Sequence, residues 1–305
     1  MQTVRILLRR WQESDAEVLY KYASDTDVGP RAGWPAHQSV EESLEIIRTV
    51  FNNEETWAIE LKETGETIGA IGYLTHDTCN IPIGENDCEI GYWVAKPYWN
   101  RGICTEALRL MLDYCINEKH FENIWSDHFT SNTASGRVME KCGFRDTGIL
   151  NRCSKLHGGD KEMVRIYKLD TKSQALNLAL SVFMEFEAPE YPEEGIEEFK
   201  QALQNPEYIN NLRYYVALDK GKVVGMAATR NNGSHLALFF VDKRYHRQRI
   251  GRSLFEKAFA NCPSEKMTVF SSPYAVKIYQ ALGFIPTDVE RTVNGIRFTP
   301  MEYRE

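Results

Sequence analysis

The chain repeats itself, and what repeats is the size of a whole folding unit. Tyr98-Trp99-Asn100-Arg101-Gly102-Ile103-Cys104 can be laid over Tyr245-His246-Arg247-Gln248-Arg249-Ile250-Gly251. Each copy follows an apolar run with strand character and precedes a stretch with helical spacing: EIGYWVAKPYWNRGICTEAL and LALFFVDKRYHRQRIGRSLF. Further on, Asn132 to Gly143-Phe144 matches Ser272 to Gly283-Phe284, with the Gly-Phe pair equally spaced from the first position. Weak self-similarity at so long an interval marks duplicated domains and not a solenoid. A length of 305 residues suits two domains of ordinary size.

The two halves nevertheless differ in composition. Residues 1–170 carry 19 Lys and Arg against 27 Asp and Glu, a net −8, while the remainder is +1. All six Trp (Trp11, Trp34, Trp57, Trp93, Trp99, Trp125) also precede residue 170. The short polar stretch Asp170-Thr171-Lys172-Ser173 is the expected linker, giving domains 1–170 and 171–305. A total charge of −7 argues against nucleic acid as the main partner, because neutralising phosphates needs clustered Lys and Arg. No apolar run reaches the roughly 18 residues of a membrane helix, and MQTVRILLRRWQESD lacks the apolar core of a secretory signal. The seven Cys (79, 88, 104, 115, 142, 153, 262) are odd in number and contain no C-x-x-C pair. That excludes the common zinc spacings, makes a disulfide framework unexpected, and points to free thiols in a reducing cytoplasm.

In the first half, strands are expected at Val4 to Leu8, Thr56 to Leu61, Thr67 to Leu74, Cys88 to Ala95, Asn123 to Asp127, Phe144 to Asn151 and Glu162 to Leu169. Helices are expected from Ser14-Asp15 to Tyr22, after Ser39, over Glu106 to Asn117, and over Asn132 to Lys141. Ser39 with Glu42 three residues on has the form of a capping box. The second half repeats the order: helices at Gln174 to Phe186 and Glu194 to Leu203, then strands at Tyr214 to Leu218, Val223 to Thr229 and Leu236 to Val241. A helix at Arg252 to Ala260, a strand at Met267 to Phe270, a helix at Pro273 to Leu282 and two strands complete it. It has no counterpart of the leading strand.

A strand, a basic glycine-containing turn and a helix start aim several backbone N–H groups at one spot, which suits phosphate oxygens. The same pattern also describes an ordinary strand–helix connection with solvated charges. The P-loop spacing G-x-x-x-x-G-K-[ST] is absent. The helix–Gly–Phe units NTASGRVMEKCGF and SSPYAVKIYQALGF read as helices ended by a C′ glycine.

Taken together, these ordered motifs resemble the GNAT acetyltransferase superfamily, whose signature is [QR]-x-x-G-x-[GA] after its fourth strand. The first half, through VRILLRRWQESDAE, GWPAHQSVEES, EIGYWVAKPYWNRGICTEAL and NTASGRVMEKCGF, resembles the subfamily that acetylates ribosomal-protein N-termini (the Rim type). The second half resembles small GNAT domains bearing SSPYAVxxYxxLGF. The resemblance implies an α/β (α+β) fold in tandem, each copy a mixed, mostly antiparallel sheet flanked by helices and splayed after its central strand. It implies acetyl-CoA as the donor, with no metal. Pantetheine would line Trp93, Val94 and Ala95 in one half and Phe240 and Val241, up to Asp242, in the other. The pyrophosphate would lie on Asn100, Arg101, Gly102, Ile103, Cys104 and Thr105, and on Arg247, Gln248, Arg249, Ile250, Gly251 and Arg252. Trp99 and His246 depart from the signature's Gln or Arg, Cys104 from its last Gly or Ala, and Arg249 from its central Gly; each keeps a backbone N–H.

Acetyl transfer from a thioester to an amine needs an acceptor for the amine's proton, a donor for the oxyanion and an acid for the thiolate. Tyr279 stands where the superfamily keeps its acid, and its spacing also suits packing on a helix. Ser272 occupies the register position of Asn132. His235, at the start of a strand, is a second candidate base or a structural histidine. In the first half the matching position is Met139, and the Rim type implies Asn132 and Ser135 instead, with Ser135 on the CoA sulfur and Asn132 on the pantetheine. Asn132 also fits a helix N-cap. Glu89 is the candidate base of that half, or a solvated strand residue.

The expected activity is N-acetylation of a primary amine on a small molecule or a peptide N-terminus. The acidic first half suggests a cationic acceptor such as a polyamine or an aminoglycoside. The acceptor walls are expected at Gly29 to Gln38, Asp77 to Asp87 and Glu187 to Gly195. The rivals are a chain in which one domain has become a CoA- or ligand-binding module, and an interaction protein without acyl-CoA.

Overall fold

A computed structural model describes residues 1–152, 163–219 and 221–304. Cys153 and Glu162, the expected start of a strand, lie outside the described residues. The chain divides into two compact units, 1–170 and 171–305.

The N-terminal unit runs β1 (Ile6–Arg9), α1 (Ala16–Ala23), α2 (Gly29–Ala32), α3 (Val40–Thr49), β2 (Thr56–Leu61), β3 (Glu66–Leu74) and β4 (Asp87–Val94). It continues with α4 (Ile103–Asn117), β5 (Asn123–Phe129), α5 (Thr133–Lys141), β6 (Phe144–Arg152) and β7 (Met163–Leu169). The sheet order is β1-β2-β3-β4-β5-β7-β6, antiparallel except for the parallel pair β4–β5. Leu108, Met111, Leu112 and Cys115 of α4 pack on one face with Ile6, Ile59 and Ile68. Leu19, Ala23 and Ile47 of α1 and α3 cover the other with Ala58 and Ala70. At α3 the Ser39 hydroxyl accepts from the Glu42 N–H, as the capping pattern predicts. Val4, expected in the first strand, is exposed and outside it.

The C-terminal unit runs α6 (Thr171–Phe186), α7 (Glu193–Gln204), α8 (Pro206–Asn210), β8 (Arg213–Asp219), β9 (Lys222–Arg230), β10 (His235–Val241), α9 (Ile250–Ala260) and β11 (Lys266–Ser271). The remainder is α10 (Val276–Leu282), β12 (Ile285–Pro286), β13 (Arg291–Val293) and β14 (Ile296–Arg304). Its order is β12-β14-β11-β10-β9-β8, with β13 on β14 and β10–β11 as the parallel pair. α6 begins at Thr171, so most of the expected linker is helix, and the unit opens without a strand.

In both units the central parallel pair parts early. β4 and β5 pair at Asp87↔Asn123, Cys88↔Ile124 and Glu89↔Trp125; β10 and β11 pair at His235↔Thr268 and Leu236↔Val269. By the repeat register Leu236 is the counterpart of Glu89, so the strands separate at the same place. β10 also carries a bulge there, with Ala237 unmatched between Leu236↔Thr229 and Leu238↔Ala228. The last residues of the diverging strands, Val94 and Val241, lie opposite Gly69 and Gly225. A Cβ on Gly69 would sit 2.3 Å from the Trp93 carbonyl oxygen.

The turns that follow are the same structure built from different residues. The Trp99 indole N–H donates to the Val94 carbonyl at 2.6 Å, and His246 Nε2–H donates to its counterpart, Val241, at 2.9 Å. Tyr98 and Tyr245 donate to Glu66 and Asp219. Asn100 and Gly102 take left-handed φ values of 59° and 76°; Arg247 and Arg249 take 61° and 65°. Two left-handed residues curve the N–H groups inward ahead of a helix whose first N–H groups have no intrahelical partner. The aromatic replacements thus anchor the turn through ring N–H groups, and Arg249 adopts the conformation its glycine counterpart finds without strain.

Three substitutions read out this geometry. Gly69→Ala forces apart β3 and β4 and lowers stability by about 1–3 kcal/mol, read as a drop in urea midpoint. Gly102→Ala costs about 1 kcal/mol from left-handed strain alone, since the nearest atom to a new Cβ, Arg5 Nη2, is 3.7 Å away. Arg249→Gly moves the midpoint of its unit the opposite way, by less, because glycine also adds unfolded-chain entropy.

Candidate active sites in the two units

Where β4 and β5 part, two cavities meet. The larger, about 400 Å³, lies against α4 and α5 and is lined by Trp93, Val94, Asn100, Gly102, Ile103, Cys104, Thr105, Asn132 and Ser135, with Arg31, Arg137 and Lys141 supplying positive charge. The smaller, about 130 Å³, holds Glu89, Asp127 and His128. Tyr92, Asn132 and Ser135 line both. Two expected residues are not in these walls. Ala95 is fully buried, with its N–H donated to Ile68 at 2.8 Å. Arg101 turns away, its guanidinium over the Tyr98 ring and its carbonyl accepting from Arg5.

Glu89 is not a solvated strand residue; it is 2% exposed. Asn80 clamps it, the backbone N–H donating to Oε2 at 2.6 Å and the side-chain amide to Oε1 at 2.8 Å. The carboxylate therefore fixes the β3–β4 loop at the small cavity while keeping lone pairs for a further donor. Asn132 precedes α5 without capping it; its amide donates to the Arg31 carbonyl at 3.2 Å and ties α2 to the cleft. Ser135 Oγ lies 3.0 Å from the Tyr92 hydroxyl, which also donates to the Ser135 carbonyl at 3.1 Å. Burial drives the Tyr92 phenol far above its ordinary range, so it stays protonated. Tyr92 was not among the expected site residues, although strand alternation places it with Ile90 and Val94 on the helix side. Met139 is fully buried in the core, and burial pushes the Cys104 thiol up to about 12.

His128 was also missed. Its Nδ1 lies 2.7 Å from the Phe129 carbonyl and must carry the proton, leaving Nε2 as an acceptor with no partner among the described residues.

The C-terminal unit has the same plan with more room. A cavity of about 520 Å³ is lined by Phe240, Val241, Arg247, Arg249, Ile250, Gly251 and Arg252, with Lys277 on α10. Gln248 is not in its wall and donates instead to the Arg244 carbonyl at 3.1 Å. A second cavity of about 730 Å³ contains Ser272, which therefore sits across from the turn and not with it. The Ser272 hydroxyl is buried and has no hydrogen-bond partner among the described residues. Tyr279 lines both cavities; burial first, then nearby Glu187, hold its phenol protonated. His235 is spent elsewhere. Its Nδ1 donates to Thr268 at 2.8 Å, its Nε2 accepts from Arg230 at 3.3 Å, and burial with Arg230 pushes it down to about 4.

Among the described residues no helix is long and apolar enough to cross a membrane. Residues 5–145 match a family model described as an acetyltransferase (GNAT) domain, and residues 187–305 match a second model of the same description. The uncharacterized N-acetyltransferase YoaA of Bacillus subtilis is 27% identical over 157 residues, 50% of this chain and 86% of that protein. YkkB of the same species is 30% identical over 159 residues, covering 50% and 89%. The crystal structure of a GNAT-family acetyltransferase from Bacillus anthracis aligns with a TM-score of 0.48 at 26% identity, over 55% of this chain and 96% of that one. The chain belongs to the GNAT acetyltransferase family, and it carries that family's domain twice.

Proposed function

We propose that each unit binds acetyl-CoA at its parted strands and passes the acetyl group to a primary amine, on a small molecule or a peptide N-terminus, by direct attack on the thioester. The observation that carries this reading is the matched junction: in each unit a protonated hydroxyl lines both the cavity at the basic turn and the cavity beyond it. The residues fit the donor. The inward-curved turns at Asn100–Gly102 and Arg247–Arg249 suit a pyrophosphate, with Ile103, Cys104 and Thr105, or Ile250, Gly251 and Arg252, opening the helix behind it. Trp93 and Val94, and Phe240 and Val241, offer strand backbone freed by the parting for an extended pantetheine arm.

In the C-terminal unit Tyr279 donates its proton to the leaving sulfur. In the N-terminal unit that donor is the Ser135 hydroxyl, itself oriented by Tyr92, while Glu89 accepts the proton of the amine. Asn132 holds the arm of the donor from the helix side. The free thiols among the described residues suit a reducing compartment such as the cytoplasm. The rival, in which the N-terminal unit only binds ligand, rests on Met139 standing in the core where the other unit has Tyr279.

Calorimetry with acetyl-CoA gives two sites per chain on this reading; one site overturns it, and none sinks the rival as well. Tyr279→Phe removes the C-terminal unit's share of thiol release against an amine panel, on the order of 100-fold for that site. Ser135→Ala removes the other share. If the double variant releases thiol like the parent, neither hydroxyl is the proton donor to sulfur.

A further inference from the structure

The C-terminal unit lacks the strand carboxylate of its partner. Glu89 stands at the last parallel pair of β4, and the equivalent position of β10 is Leu236. A carboxylate nevertheless reaches the parting from another element. Glu187 follows the last turn of α6, its N–H bonded to the Phe183 carbonyl at 2.9 Å, and its side chain lines both cavities of the unit. Among the described residues Glu187 and Tyr279 are the titratable side chains common to the two walls. The buried hydroxyl of Ser272, with no other partner among the described residues, stands in the second cavity close to Glu187.

We propose that Glu187 is the general base of the C-terminal unit, receiving the proton of an amine that enters through the 730 Å³ cavity. The inference rests on the acetyl-transfer reading of that unit. The nitrogen lone pair forms the C–N bond to the acetyl carbon as the C–S bond breaks. The proton leaving nitrogen goes to a Glu187 oxygen, the departing sulfur takes the Tyr279 proton, and exchange with solvent restores both groups. Glu187 and Tyr279 thus bracket one reacting carbon, one on the amine side and one on the sulfur side.

The surroundings suit a base that works near neutral pH. Burial pushes the Glu187 carboxyl up to about 7; the Ser272 hydroxyl tempers the rise and Glu190 adds to it. Among the described residues Tyr191, after α6, and Tyr279 on α10, both held protonated by burial, feel its charge directly. The walls it shares also carry Tyr245, His246, Arg247, Arg249, Arg252, Tyr274 and Lys277 on the turn side and Glu198, Tyr208, Arg230, His235 and Arg297 on the other. Glu187 has no ion pair among the described residues, so its charge remains available to an ammonium. The walls of the cavity include a group of aromatic side chains (Phe183, Tyr191, Phe199, Phe270, Phe298), which favours an amine carried on an apolar body.

The test uses the full-length chain with acetyl-CoA and a panel of alkylamines, aromatic alkylamines, polyamines and peptides. The share of thiol release that Tyr279→Phe removes defines the C-terminal turnover. Glu187→Gln is expected to remove the same share, on the order of 100-fold for that site, with acetyl-CoA affinity unchanged and the rise in kcat/KM near pH 7 abolished. Glu187→Asp is expected to keep that rise with a smaller rate. If Glu187→Gln spares a share that Tyr279→Phe removes, the base is elsewhere and the acetyl-transfer reading stands. If Glu187→Gln weakens acetyl-CoA binding as much as it slows turnover, Glu187 is a wall residue and the proposal falls. If Tyr279→Phe removes nothing although the unit binds acetyl-CoA, the reading itself fails and the base falls with it.

Discussion

The ladder between the two central parallel strands runs for three residue pairs in the N-terminal unit and two in the C-terminal unit, then stops. Each strand continues beyond that point on the strength of its other neighbour. β4 stays paired to β3 as far as Val94, and β5 to β7 as far as Phe129. β10 stays paired to β9 and β11 to β14 in the same way. A sheet held from both flanks can open in its middle without losing either strand. The opening leaves backbone groups facing a gap, and buried backbone groups require partners. At the first of them the protein supplies one itself, since Ser126 donates its hydroxyl to the Ile90 carbonyl at 2.7 Å. The gap beyond is where an extended ligand can serve as the missing strand.

The duplicated scaffold has kept its geometry and exchanged its chemistry. The strand-end carbonyl, the ring N–H that ties the turn to it, the tyrosine anchored on a carboxylate and the two left-handed residues occur in both units. Each of these positions constrains backbone shape. Register positions around the parting have diverged: Glu89 against Leu236, Met139 against Tyr279, Asn132 against Ser272. Packing explains Met139, which points from α5 into the core with no exposed surface. A hydroxyl at the junction then comes from Ser135 and Tyr92 in one unit and from Tyr279 in the other, so the same place in the fold is served by different elements.

What the sequence disclosed was local or repeated. The Ser39 cap, the helical spacing of α4 and the two basic turns are each written in consecutive residues, and the duplication made the turns visible twice. What it hid depends on distant contacts. Asn132 sits where an N-cap belongs, yet its amide is drawn to Arg31 from a different part of the chain. Glu89 looked like half-exposed strand until Asn80 of the preceding loop closed over it. Glu187 opens the acidic, proline-containing run expected as an acceptor wall, but nothing in that run marks it out from the other acidic residues. Its half-buried place beside the cavities, in walls it shares with residues of β10 and α10, depends on the fold. The short helices α2 and α8 begin beside or on a proline and span four and five residues, too few for any periodic signal.

Net charge was a poor guide to the clefts for a related reason. Several acidic residues of the N-terminal unit are held in ion pairs and line neither of its cavities. Arg9 clasps Asp15 at 2.7 Å, Arg48 reaches Glu13 at 2.7 Å and Lys21 reaches Glu66 at 2.6 Å. The wall of its larger cavity instead carries Arg31, Arg137 and Lys141, and that of the near-neutral C-terminal unit carries Arg247, Arg249, Arg252 and Lys277. Both turn-side clefts are therefore basic whatever the sum over the unit, because an anion is recognised within a Debye length and not by the whole surface. Beyond the turns the units differ: a small, polar pocket with Glu89, Asp127 and His128 against a larger one with many aromatic side chains and the carboxylates of Glu187 and Glu198. Two basic turn-side clefts of one kind beside two unlike neighbouring cavities is the arrangement that duplication followed by divergence of the lining residues produces.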